Sequence, residues 1–153
     1  MAQARTEHAY RVAAWWTSGR TGIAKSDMAP DAIQFTSPPE SGGLEERWTT
    51  EELLLASITG CFTTTFRSIA SSAQFEFTDL EAEAIAKVHK VGSAFYFDDI
   101  VVRPVVKIAN FEECDRALDL LDKAERMCLV SRALDFPVRF EPQVQVIEAE
   151  FSL

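Results

Sequence analysis

Three cysteines stand at positions 61, 114 and 128 of a 153-residue chain, and their surroundings decide whether any of them can do chemistry. Cys61 sits inside "EELLLASITGCFTTTF", an apolar run with helical periodicity, where Ser57, Thr64 and Thr65 are its polar neighbours. A lone cysteine on such a face is more often a small buried hydrophobe than a nucleophile. To react it must ionise, and burial in the middle of a helix opposes that. The helix ends are too far away for the macrodipole to help, so a reactive Cys61 needs a cation. Arg67 projects to another side of the helix. Arg20, in "SGRTG", is a guanidinium flanked by two glycines in a loop free to dip toward a partner.

A reactive thiol also needs a second one if it is to be recycled through a disulfide. Cys114 and Cys128 fall on one predicted helix, so about 1.5 Å of rise per residue separates them by roughly 21 Å. A disulfide requires Cα atoms about 4.4–6.8 Å apart, and these two cannot bridge on a continuous helix. Cys61 could pair with either. Cys128 is the better placed, where the helix ends and the chain turns through "LVS". Cys114, on the first turn, reads as structural. Glu51 opens the Cys61 helix ten residues earlier, an axial gap of roughly 15 Å. It therefore cannot serve the cysteine of its own chain, and reads alone as a favourable acid in a first helical turn. If Glu51 does belong to a thiol site, a second subunit brings it there.

The elements that must hold these groups follow from hydrophobic period and turn chemistry. Residues 9–17, 23–26 and 32–36 read as an antiparallel meander that stops at "SPPESGG". Thr49 followed by Glu52 is a capping box, with Thr49 or Thr50 as N-cap of the Cys61 helix. Leu55, Phe62, Phe66, Ile69 and Ala73 form one apolar stripe, and Leu54, Ile58, Cys61 and Thr65 another. Such a helix should be covered on more than one side, by the sheet and by another helix, of this chain or of a symmetry mate. Residues 80–91 alternate with period two, 91–94 turn, and 95–108 return, with Pro104 placing that strand at an edge or a bulge. A second helix spans 112–128, its inner face carrying Cys114, Ala117, Leu118, Leu121, Ala124 and Cys128. Residues 137–151 alternate as a closing strand. The order βββ-α-ββ-α-β implies a single α+β domain over 1–153, antiparallel sheet packed on two long helices.

Composition excludes several classes of partner. A net charge of −9 is wrong for a phosphate backbone, so nucleic acid is not expected. The N-terminal "MAQARTEHAYRVAAWW" has no signal-peptide pattern, and no run approaches the roughly 20 apolar residues of a membrane span. A cytoplasmic protein with an odd number of cysteines is not a disulfide scaffold. His8, His89 and the cysteines lack metal-ligand spacing, and the two histidines support no Ser-His-Asp arrangement.

The segments "SGRTG", "WTTEELLLASITGCF" and "KAERMCLVSRAL", in this order and spacing, resemble the OsmC/Ohr family of osmotically induced and organic hydroperoxide resistance proteins. The family often has proline where Leu129 and Thr50 stand here. The resemblance implies an OsmC-like fold in an intertwined homodimer that acts as a cysteine-based peroxidase on organic hydroperoxides. By it, Cys61 is the peroxidatic thiol, Cys128 the resolving thiol and disulfide partner, Arg20 the activating cation, and Glu51 the carboxylate that orients the arginine. It implies no bound cofactor or metal, and an external dithiol such as a protein-bound lipoyl group as reductant. The rival readings are a non-catalytic, apolar-ligand-binding protein and a redox sensor built on the same cysteines.

Overall fold

The computed structural model describes residues 7–147. In chain order these form β1 (Val12–Ser18), β2 (Thr21–Ser26), β3 (Ile33–Thr36), β4 (Trp48–Thr49), α1 (Thr50–Ser72), β5 (Asp79–Val91) and β6 (Ala94–Ile108). They continue as α2 (Cys114–Met127), α3 (Leu129–Ala133), β7 (Arg139–Phe140) and β8 (Gln143–Val146). The chain divides into two compact units, Met1–Leu53 and Leu54–Leu153. The fold is mixed α+β, with three α-helices and two sheets among the described residues.

In the first unit the predicted meander is present as β1-β2-β3, with the short β4 added in parallel to β3. Ser18 pairs with Thr21, leaving Gly19 and Arg20 as a two-residue hairpin connection. Gly19 has φ +59°, and a glycine with positive φ at the first central position is the mark of a II′ turn, whose twist matches the flanking strands. Arg20 therefore stands on a tight turn, in keeping with the tight loop that "SGRTG" predicts. The second flanking glycine has another purpose. Gly22 pairs with Phe35, and a Cβ there would lie 2.5 Å from the ring, so glycine at 22 makes room for the aromatic.

The capping box forms as expected. The Thr49 N–H donates to Glu52 Oε1 at 3.0 Å and the Glu52 N–H to Thr49 Oγ1 at 3.1 Å, which starts α1 at Thr50.

In the second unit β5 and β6 make a long antiparallel hairpin closed at Gly92–Ser93, and β7 and β8 both lie parallel to β6. The sheet is therefore not wholly antiparallel. α1 buries Ile58, Phe62, Phe66, Ile69 and Ala70, and α2 buries Ala117, Leu121 and Ala124. These meet Val102, Val106 and Ile108 of β6 in the core. Phe62 packs on Phe140 with ring centroids 5.5 Å apart, and each buried phenylalanine is worth about 1.5–3 kcal/mol against leaving it in water.

Four expectations change here. Pro104 lies in the central strand, not at an edge, and it is buried. Val102 O accepts from the Glu141 N–H and Ile108 O from the Ile147 N–H, so alternate residues of β6 face β7 and β8. The Pro104 nitrogen faces the same way, at the gap between the Phe140 and Gln143 pairings, where no donor is needed. The helix predicted over 112–128 ends where expected, at Met127 before an extended Cys128 (φ −63°, ψ 109°), but the turn expected after it is the short helix α3. Only α1 is long, and Leu118 is exposed rather than on the inner face. The closing strand breaks at Glu141–Pro142 into β7 and β8, and its predicted end at 148–151 lies outside the described residues. Finally, α1 is long and apolar enough to meet the composition of a membrane span, with mean hydropathy 1.3 over its best window. In this fold its stripe is instead a core face against β6 and α2.

Candidate functional site

Cys61 lies midway along α1, one residue before the buried Phe62, and is half-buried against the main core. Cys128 is fully buried at the junction of α2 and α3. The extended backbone at Cys128 ends one helix and caps the next: its N–H donates to Glu125 O at 3.4 Å, and its O accepts from the Arg132 N–H at 3.2 Å. This break turns the first residues of α3 toward α1, with their free backbone N–H groups leading.

The consequence falls on the Cys61 sulfur. Burial is the largest single influence on this thiol and pushes its pKa up. The Val130 backbone N–H, the Cys128 thiol, the Thr65 hydroxyl and the Leu129 backbone N–H oppose it, and together they win. The Cys61 pKa falls below the ordinary thiol range. Thr65 Oγ1, one helical turn on, stands 4.0 Å from Cys61 Sγ. Among the described residues the groups that lower the Cys61 pKa are neutral donors, and the cation expected to be needed for ionisation is not one of them.

The sign of the shift sets a measurable outcome. A stabilised thiolate is populated at lower pH, so alkylation of Cys61 by iodoacetamide should rise and level off at lower pH than alkylation of free cysteine. Peptide mapping separates Cys61 from the other two thiols. An inflection at or above that of free cysteine would show that burial dominates.

Of the four site residues predicted, Cys61 and Cys128 are brought together in the second unit. Arg20 and Glu51 belong to the first. Arg20 is exposed on its turn, with Nη1 donating to Gly42 O at 3.4 Å. Glu51 is in the first turn of α1, and its Oε2 is buried without a hydrogen-bond partner. Glu51 and Cys61 do share one unbroken helix, as expected. Cys114 is the first residue of α2, half-buried at the margin of the core, in keeping with its structural reading.

The donors on Leu129 and Val130 were not foreseen. They are backbone groups, and no side-chain pattern announces them. The signal available was the "LVS" segment after Cys128, which reads as a turn and is in fact a short helix. Leu129 stands where the family often has proline, and a proline would have no N–H to give. Among the described residues no group of three or more His, Cys, Asp or Glu side chains could hold a metal ion.

Cys61 of α1 and Cys128 at the α2–α3 junction thus stand together on an α+β frame. Residues 43–143 match the family model for OsmC-like proteins, about two thirds of the sequence, and the chain belongs to that family. Among curated proteins it is 24% identical over 143 residues to the uncharacterized protein YmaD of Bacillus subtilis, covering 92% of this chain and 95% of that one. Among solved structures it is similar to an organic hydroperoxide resistance protein from Elizabethkingia anophelis, with TM-score 0.72 and 21% identity over 94% of this chain and 100% of that one. It is also similar to the organic hydroperoxide resistance protein OhrB of Bacillus subtilis, with TM-score 0.64 and 22% identity over 90% and 98% of the two chains. At these identities the structural likenesses establish the fold.

Proposed function

We propose that this chain is a thiol-dependent peroxidase that reduces organic hydroperoxides, working as a cytoplasmic homodimer. The observation that carries the reading is the Cys61 thiol, held below its ordinary pKa range despite burial, with the Cys128 thiol among the groups that hold it. A cysteine that only fills space needs neither feature. Membership of the OsmC-like family, and structural relatives named for organic hydroperoxide resistance, support it.

In the proposed cycle the Cys61 thiolate attacks the terminal oxygen of ROOH. The O–O bond breaks, RO⁻ takes a proton and leaves as alcohol, and the sulfur becomes a sulfenic acid. The Cys128 sulfur then attacks the Cys61 sulfur, and the S–S bond forms as hydroxide departs and is protonated to water. An external dithiol, a protein-bound lipoyl group in this reading, supplies two electrons and two protons by thiol–disulfide exchange and is itself oxidised to the disulfide. Arg20 supports the thiolate and donates to the peroxide oxygens as charge develops on them.

Glu51 holds that guanidinium in position. Its buried Oε2 without a partner is an acceptor that a guanidinium would satisfy, and leaving it empty costs about 1–3 kcal/mol or more for a charged group. Because Glu51 and Cys61 are ten residues apart on one helix, Glu51 serves the Cys61 of the second subunit. The α1 face bearing Ser57, Gly60 and Thr64 is exposed in the single chain and suits close approach by that subunit.

A peroxide panel tests the function. tert-Butyl and cumene hydroperoxides should be consumed catalytically, faster than hydrogen peroxide, with dihydrolipoamide as effective as dithiothreitol or more so. Silence with every peroxide would leave an apolar-ligand-binding protein. A single oxidation without turnover would leave a redox sensor.

A further inference from the structure

The Arg20 turn is braced far beyond what its own hairpin hydrogen bonds require. Three consecutive backbone carbonyls each accept a side-chain donor. Trp16 Nε1 donates to Gly19 O at 3.0 Å, Thr36 Oγ1 to Arg20 O at 2.7 Å, and Thr17 Oγ1 to Thr21 O at 2.9 Å. Water competes for two of these, since Trp16 is 54% exposed and Thr17 is exposed too. Thr36 is different: it is 0% exposed, the only buried polar side chain among the described residues.

The Thr36 hydroxyl also accepts from the Leu44 N–H at 3.0 Å. Leu44 lies two residues after Gly42, whose carbonyl takes the Arg20 guanidinium at 3.4 Å. One buried hydroxyl thus ties the Arg20 backbone to the loop on which the Arg20 head rests. It donates to one group and accepts from another, which only a hydroxyl can do at this position. With the turn fixed at Gly19, Arg20 and Thr21, the guanidinium can move only by its own side-chain torsions.

We propose that Thr36 is the positioning residue for Arg20: it sets where the guanidinium starts and how far it can reach, and so how well the peroxide is held. This rests on the role given to Arg20 above, and the experiment separates the two. The rate of Cys61 oxidation by cumene hydroperoxide is measured in single-turnover mode for Thr36→Val, Thr36→Ser and Arg20→Ala, and for each Thr36 variant combined with Arg20→Ala. Thr36→Ala is the second variant should valine disturb folding, and thermal melting checks each protein.

Thr36→Val should slow oxidation about tenfold, since small misplacements of a positioning group are expensive. Thr36→Ser, which keeps the hydroxyl, should restore the rate to within about twofold. In the Arg20→Ala background Thr36→Val should have no further effect, because the group it positions is gone. An equal slowing in that background, or failure of serine to rescue, would overturn the proposal while leaving the role of Arg20 intact. A fully active Arg20→Ala protein would overturn both.

Discussion

Replacement of Cys61 by serine is expected to abolish hydroperoxide turnover, with a loss of at least about 10³-fold, because a serine hydroxyl cannot take oxygen from a peroxide and Cys61 is the thiol held toward its thiolate. The serine hydroxyl would occupy nearly the same volume in the half-buried position. Melting temperature should therefore hardly move, which separates lost chemistry from lost fold. Residual turnover above background would mean that Cys114 or Cys128 is the nucleophile. The same variant tests the dimer. In a mixed dimer of Cys61→Ser and Glu51→Ala chains, the cross-subunit arrangement puts both defects in one site and neither in the other. Activity should reappear on mixing two dead or weak proteins, at about one working site per mixed dimer. If Glu51 served its own chain, every site would carry a defect and mixing would recover nothing.

Side chains were legible in the sequence where one local rule governed them, and misread where a backbone break or a neighbouring strand decided. The capping box at Thr49 and Glu52 and the Gly92–Ser93 turn appear as expected, and the alternation predicted over 80–91 holds to Lys87, where the register shifts and residues 88–91 are all exposed. Each depends on residues within a few positions of one another. Pro104 was assigned to an edge or a bulge because the gap between β7 and β8 that accommodates it comes from residues about forty positions later. The end of the second helix at Cys128 was legible, but nothing in "LVS" marked the restart as a helix, so the N–H donors of α3 went unseen. The candidate thiols themselves were visible. What makes Cys61 acidic was not, since half of its donors are main-chain groups. Arg20 was recognised as a cation, but the II′ turn and the Thr36 bond that hold it emerge only when β3 is laid beside the hairpin.

Cys128→Ser is expected to leave the first oxidation of Cys61 intact and stop the cycle there. One equivalent of alcohol per chain should form in a burst. The Cys61 sulfenic acid should then accumulate, trappable by dimedone, and steady-state turnover with dihydrolipoamide should fall by on the order of 10²-fold or more, because resolution has lost its nearby nucleophile. In the oxidised wild-type protein, mass spectrometry of peptides should show a Cys61–Cys128 bridge. A Cys61–Cys114 bridge would move the resolving role to the start of α2. The Cys128 thiol is also a hydrogen-bond donor to the Cys61 sulfur. Serine keeps a donor there and alanine does not. The pH at which Cys61 alkylation levels off should therefore stay near the wild-type position in Cys128→Ser and move upward in Cys128→Ala. Coincident profiles for the two variants would show that Cys128 acts on Cys61 only as a resolving thiol, leaving the Val130 and Leu129 N–H groups and the Thr65 hydroxyl to hold the thiolate.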